Sequence, residues 1–291
     1  MRRLGSRKHI HSFSREDAPS YSVVIGERVV VETADAFSGK VRSEKVLFED
    51  LDMADVNPAT GPIEIDGISA GDVLAVAIER IKCGPRGVMM CSPELGNLSS
   101  EVRRSRTKVV KVGRDRAQIS KDLEIELRPH VGVIGVCPAK GSVPTFHPGD
   151  HGGNMDTAEV GAGSTVYLRT EVDGAMVSMG DVHAAMGDGE VCGTGVEVPA
   201  EVTVSFSKAE HMRIVRPMVE TMTEWVSYAA AKTLDEASKL ATYDMVRFIA
   251  DARGVSFEEA YMLASAVADL RISQVVDPLM AAKMTIKKRY L

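Results

Sequence analysis

Over its first two hundred residues the chain alternates short apolar runs with turn residues. SVVIGERVVVET, IEIDG, DVLAVAIERI, LEIELR, HVGVIGVCPAKG, STVYLRTEVDGAMVSMGD and EVPAEVTVSFSK are rich in β-branched residues or alternate in polarity, and Gly, Pro or Asp bounds them. In LEIELR the alternation predicts Leu123, Ile125 and Leu127 on one buried face, with Glu124, Glu126 and Arg128 in water. From Val73 to Ile78 both parities are apolar, which predicts a strand covered on both sides. After Arg216 the period lengthens. Met218, Val219, Met222, Trp225 and Val226 have helical spacing, and TLDEASKLATYDMVRFIADARG keeps one apolar side up to Gly254. Ser256 followed by Glu259 predicts a capping box ahead of VSFEEAYMLASAVADL, where Ala260, Leu263, Ala264 and Val267 form a stripe. The fold expected is mainly β: packed sheets form a sandwich or partly barrelled core over residues 1–210. An α-containing portion over 211–291 packs on that core.

Composition narrows the classes. The 291 residues include 25 Gly and 15 Met but only 5% aromatics, which suits many turns around a core of small and aliphatic side chains. A formal charge of -6 gives no general footprint for a polyanion, so no nucleic-acid partner is expected. Basic runs such as Arg103, Arg104, Arg106 and Lys108 read as solvated surface. No apolar stretch approaches the roughly 18 residues of a membrane span, and no secretory leader is visible, so no membrane partner is expected. Cys83, Cys91, Cys137 and Cys192 are dispersed without a CxxC pair, which argues against a disulfide framework and for a reducing, cytoplasmic setting.

Candidate chemistry concentrates in two glycine-rich segments. In FHPGDHGGNMDTAEVGAG, the residues His147, Asp150, His151, Asn154, Asp156 and Glu159 fall close together, and Gly149, Gly152 and Gly153 permit a tight turn. In SMGDVHAAMGDGEVCG, Asp181 and His183 share one side of an extended segment, and the following turn can bring Asp188 and Glu190 around a common ion. Carboxylates and imidazole together can hold a divalent cation that polarises a carbonyl and activates water. The same residues also admit a structural account, with Asp181 and Asp188 as turn caps, His183 in an internal hydrogen bond and Glu190 in solvent.

These segments resemble the acetamidase/formamidase family, through HVGVIGVCPAKG, HPGDHGGNMD and GDVHAAMGDGEVCGTGVE in that order. Weaker echoes are VVVETADAFSGKV, NPATGPIEIDGISAGDVLAVAI and EEAYMLASAVADLRISQVVDP. The resemblance implies a β-rich fold that hydrolyses small amides such as formamide or acetamide, with water as the second substrate. It implies His151, Asn154 and Glu190 as catalytic residues: His151 in polarisation or proton transfer, Asn154 positioning the carbonyl, Glu190 or Asp181 as base. As metal ligands it implies Asp156, Asp181, His183 and Glu190, with Asp35 of TADAFSG as a further candidate whose reading as a turn residue stands equally. The mixed donor set favours zinc, with calcium or magnesium as alternatives. A homo-oligomer is expected, with a dimer favoured. Two departures stand out. Met186 occupies a position where the family favours glutamine, and Cys137 one where it favours a small unreactive residue. A Cys137 nucleophile is the alternative chemistry, although a buried core role fits the residue better. Two other classes compete: a noncatalytic small-ligand or metal-binding protein, and a structural protein that self-associates through its C-terminal helices.

Overall fold

In a computed structural model that describes residues 1–291, two large β sheets enclose the main core. The first has nine strands, in the spatial order Arg2–Leu4, Arg28–Thr33, Ala200–Lys208, Val73–Cys83, Ser164–Arg169, Met218–Glu220, Glu224–Ala231, Met280–Lys287 and Ala268–Gln274. The second has twelve, and its middle runs Arg86–Cys91, Glu197–Val198, Val177–His183, His130–Gly135 and Gly152–Asn154. Side chains from both sheets interlock in a cluster of 35 buried residues, almost all aliphatic, including Val76, Val131, Met179, Val182 and Val204. This is the sandwich that the β-branched runs predict, and Val73–Ile78 is buried throughout except for the half-buried Ala77.

The C-terminal helices are α1, Leu234–Arg253, and α2, Phe257–Val267. Thr233 caps α1 through its hydroxyl, which accepts from the Glu236 amide at 3.2 Å, and Gly254 closes the helix at φ 63. The capping box at α2 forms as the spacing predicts. The Glu259 amide donates to Ser256 Oγ at 3.2 Å and the Ser256 amide donates to Glu259 Oε2 at 3.0 Å. Met245, Val246, Ile249, Ala260 and Ala264 pack with Met284 and Ile286, so the helices cover part of one sheet.

Two local readings are corrected. Residues 218–226, expected to be helical, form the strand Met218–Glu220 and the start of Glu224–Ala231, joined by a turn in which Thr221 Oγ1 accepts from the Glu224 amide at 2.9 Å. Pairing of Glu224–Ala231 along its whole length with Met280–Lys287 outweighs the local period. The strand Leu123–Glu126 lies at a sheet edge, so Leu123 is exposed and Ile125 and Leu127 are only half-buried. No helix is long and apolar enough to cross a membrane.

Candidate metal centre

Strand register assembles a row of polar side chains across the middle of the twelve-stranded sheet. His183 lies opposite His130 on one neighbouring strand and opposite Glu197 on the other. All three are buried. Asp181 enters the group two residues before His183, Asp156 from the loop after Gly152–Asn154, and Glu190 from a turn in which its amide donates to the Gly187 carbonyl at 3.2 Å. From His183 Nε2, the nearest carboxylate oxygens are Glu197 Oε2 at 3.0 Å, Asp181 Oδ1 at 3.6 Å, Glu190 Oε1 at 3.7 Å and Asp156 Oδ1 at 3.9 Å. Asp156, His183 and Glu190 form one potential ligand set, and Asp181, His183 and Glu197 another. Because the two sets share one imidazole nitrogen with one lone pair, they describe a single centre.

The backbone is bent to make this possible. Asn57, Asp156, Asp181 and Glu190 all have positive φ, between 42 and 50 degrees, a conformation that costs a residue with a side chain about 1–2 kcal/mol. Gly132 supplies the space behind them, since a β-carbon there would sit 2.6 Å from Asp156 Oδ1 and 2.9 Å from Asp181 Oδ2. Lys283, fully buried, joins Glu159 and Asp188 at 2.6 Å each, which ties the loops carrying Asp156 and Glu190 to the nine-stranded sheet.

A proton pattern follows from the hydrogen bonds. His130 Nδ1 lies 3.0 Å from the Arg128 carbonyl, which can only accept, so His130 carries its proton there. Burial, reinforced by the charge of His183, pushes His130 down to about 3 and keeps it neutral, leaving Nε2 as an acceptor. His183 Nδ1, 3.1 Å away, therefore donates to it, and Nε2 is left facing the carboxylates: Glu197 and Asp181 favour a proton on it without a cation, and a cation would take that proton's place.

Five buried carboxyl groups, Asp156, Asp181, Glu190, Glu197 and Asp277, share this region. Burial, with mutual repulsion, pushes Asp156 up to about 7 and Glu197 to about 8, and raises Glu190 and Asp277 well above the usual range. Burial also opposes the charge on Asp181 and His183, but their mutual attraction, with Glu197 acting on His183, holds Asp181 low and raises His183. Asp156 Oδ1 and Oδ2, Asp181 Oδ1 and Glu197 Oε2 are buried with no hydrogen-bond partner. Converging unpartnered oxygens beside an available imidazole nitrogen fit a divalent cation in donor type, number and charge.

The group opens into a cavity of about 220 Å³. Asn57, Asn154, Asp181, His183, Glu190, Thr194, Glu197 and Asp277 are its polar lining, and Phe37, Phe48, Met53, Leu95 and Phe146 are among its apolar walls. A larger space of about 710 Å³ beside Tyr167, Trp225 and Phe248 holds no comparable set of ligands.

Several expected positions lie elsewhere. His151 is outside the cavity lining, edge-on to Phe13 at 5.0 Å between ring centroids, and burial pushes it down to about 4. Asp35 caps a turn, its Oδ1 accepting from the Phe37 and Gly39 amides at 3.0 and 2.8 Å, and so holds Phe37 in the cavity wall. Asp188 is engaged by Lys283, and Met186 does not reach the cavity lining. Asn154 does line it, but its amide donates to both Asp277 oxygens, at 3.1 and 3.0 Å, and accepts from Asn57 at 3.3 Å. Cys137 is buried outside the cavity lining, where burial pushes its thiol up to about 11, which removes it as a nucleophile. The readings from sequence missed His130, Glu197, Asp277 and Asn57. All four sit in segments that also carry the family resemblance, HVGV, GVE, VVDP and NPAT.

Asp156 and Glu197 bind protons more tightly folded than unfolded, so their contribution to stability is full below about pH 4 and is lost as pH rises through 7 to 8. The thermal midpoint of metal-free protein should therefore fall between pH 5 and pH 8.5, and a divalent cation should restore more at the upper end. A midpoint that is flat or rises without metal contradicts the repulsion described. Replacing His130 by Phe removes the acceptor that orients His183 and should weaken metal affinity 10- to 100-fold by calorimetry, with His130→Gln recovering part of the loss. Unchanged affinity in His130→Phe contradicts the proton pattern.

The acetamidase/formamidase family model matches residues 5–145 and 139–287. An acetamidase structure from Bacillus halodurans is 39% identical, covers 99% of this chain and 98% of its own, and superposes with a TM-score of 0.97. An acetamidase from Yersinia enterocolitica is 29% identical, covers 99% of this chain and 92% of its own, and gives 0.94. A curated relative from Schizosaccharomyces pombe is 24% identical over 263 residues, 67% of this chain, and the match spans 63% of its own length, less than two thirds. With matched segments that span nearly the whole chain and a full-length structural likeness at 39% identity, the chain belongs to the acetamidase/formamidase family.

Proposed function

We propose that the chain hydrolyses small aliphatic amides such as formamide or acetamide, yielding ammonia and the carboxylic acid, with one divalent cation at the His183 centre. The observation that carries this reading is the convergence of Asp156, Asp181, Glu190 and Glu197 on His183 Nε2, which lines a small cavity with polar and apolar walls. Its volume of about 220 Å³ is below the roughly 300–1,000 Å³ of pockets for drug-sized ligands, which favours a substrate of few atoms. The acetamidases from Bacillus halodurans and Yersinia enterocolitica, alike over nearly the full chain, support the same reaction class.

Asp156, Asp181, His183 and Glu197 would hold the cation, with zinc favoured by the imidazole and calcium or magnesium admitted by the oxygen-rich set. When bound, the cation polarises the amide carbonyl and lowers the pKa of water. Glu190 closes the group from the glycine-rich turn. Burial and the neighbouring Asp156 raise it well above the usual carboxylate range without a cation, so it takes up a proton more readily than an exposed carboxylate. Water attacks the carbonyl carbon and gives a proton to the Glu190 carboxylate, which then passes it to the nitrogen as the C–N bond breaks. Asn154 holds Asp277 and Asn57 at the cavity lining, and the phenylalanine walls exclude bulk water. The setting proposed is cytoplasmic and the assembly a homodimer, without nucleic-acid or membrane partners.

Ammonia release from formamide, acetamide, propionamide and urea, measured before and after chelation and reloading, tests the reaction. Hydrolysis of at least one small amide, loss on chelation and a drop of about 10²- to 10⁴-fold in kcat for Glu190→Gln with its metal retained are expected. No ammonia from any of them would turn the reading toward a noncatalytic metal-binding protein. Full activity in verified metal-free enzyme removes the cation from the reaction.

A further inference from the structure

The strand Ala268–Gln274 is the outermost of the nine-stranded sheet; it pairs along its length with Met280–Lys287, and at its far end Gln274 also bridges Gly189. Before that bridge, from Ala268 to Ile272, no strand of the chain pairs its other edge, an arrangement that invites another strand unless it is blunted. Four consecutive residues, Asp269 to Ile272, are exposed, and two are large and apolar: Leu270 at 52% and Ile272 at 44%. Neither a proline nor a covering helix protects that edge. Helix α2, which packs on this strand, adds exposed Tyr261 and Met262.

We infer that this edge is where two copies of the chain join, strand Ala268–Gln274 against its own copy, antiparallel about a two-fold axis at Leu270. The charge pattern selects the partner and the register. Two identical edge strands can extend one sheet isologously only about an axis perpendicular to it, and opposed residues then come from the same face. An axis at Asp269 sets two aspartates against each other, and one at Arg271 sets two arginines against each other. An axis at Ile272 requires Ser273 at the edge, and Ser273 is fully buried. With the axis at Leu270, each Asp269 meets Arg271 of the second copy twice over, Leu270 meets Leu270, and Ile272 meets Ala268.

The two faces of the strand agree with this register. Leu270 lies opposite Met284, which belongs to the apolar cluster under the helices, so Leu270 and Ile272 extend that cluster toward the copy. Asp269 and Arg271 lie on the other face, where within one chain they make only a long 3.9 Å ion pair. Joined this way, the sheets would run on as one of eighteen strands, twice the nine of each chain, with the two α2 helices flanking the axis.

Analytical ultracentrifugation of the full chain at micromolar concentration, with Asp269→Arg, Arg271→Asp and the double exchange, tests the pairing. Wild type should sediment as a dimer. Each single change places like charges opposite each other and should weaken dimerisation at least tenfold, and the double exchange should restore it to within about twofold. Leu270→Cys should yield a disulfide-linked dimer on oxidation that reductant reverses and wild type does not form. A monomeric wild type overturns the inference, as does a dimer that both single variants leave intact, and both readouts are independent of amide hydrolysis.

Discussion

The structure turns on a concentration of buried negative charge. Four carboxyl groups lie around one imidazole nitrogen and a fifth, Asp277, lines the same cavity, with no lysine or arginine among the lining residues. A protein that only needed to fold would gain by replacing them with apolar side chains, because desolvating carboxylates costs several kcal/mol each before repulsion is counted. Protons can relieve the charge, and the raised affinities of Glu190, Glu197, Asp156 and Asp277 express that demand. A divalent cation relieves it more completely, and it also satisfies oxygens that no hydrogen bond reaches. The same need for a counter-charge makes the site useful chemically, since groups that exchange a cation for protons near neutrality can also move a proton during hydrolysis.

The surrounding fold reads as the means of holding those groups together. Strand pairing places His130, His183 and Glu197 in one row, so the donor order depends on register, and a slip of one residue would turn each side chain to the other face. Strained backbone at Asp156, Asp181 and Glu190 aims their carboxylates inward, and Lys283 anchors the loops that carry Asp156 and Glu190 from the opposite sheet. The end of Ala268–Gln274 also reaches the site: Ser273 Oγ donates to the Asp156 carbonyl at 3.2 Å and the Gly189 amide to the Ser273 carbonyl at 2.8 Å. Packing at the sheet edge and order at the metal centre thus share one strand.

Much of this was legible in the residues. The β-branched runs announced the sandwich, Thr233 and Ser256 the helix starts, and the i, i+2 spacing of Asp181 and His183 their common side. Asp156 and Glu190 were visible because glycines flank them, and glycine marks places where backbone must turn sharply. What stayed hidden was nonlocal. His130 and Glu197 look like ordinary members of alternating strands until register sets them beside His183, and Asp277 lies far along the chain in an unremarkable VVDP. Residues 218–226 misled for a related reason, since sheet pairing with a strand sixty residues on overrode a local helical period. His151 misled because a glycine-rich hairpin can carry a histidine on its outer turn, against Phe13, as readily as toward a site.

The link between buried charge and cation binding is tested most directly by counting protons. Zinc binding to metal-free protein at pH 7, followed by calorimetry in two buffers of different ionisation enthalpy, gives the number released per ion. Because Glu197, pushed up to about 8, holds a proton there that the cation must displace, at least one proton should leave per zinc bound, and His183→Ala should abolish the site. Stoichiometric binding with no proton release, or binding unaffected by His183→Ala, would contradict it.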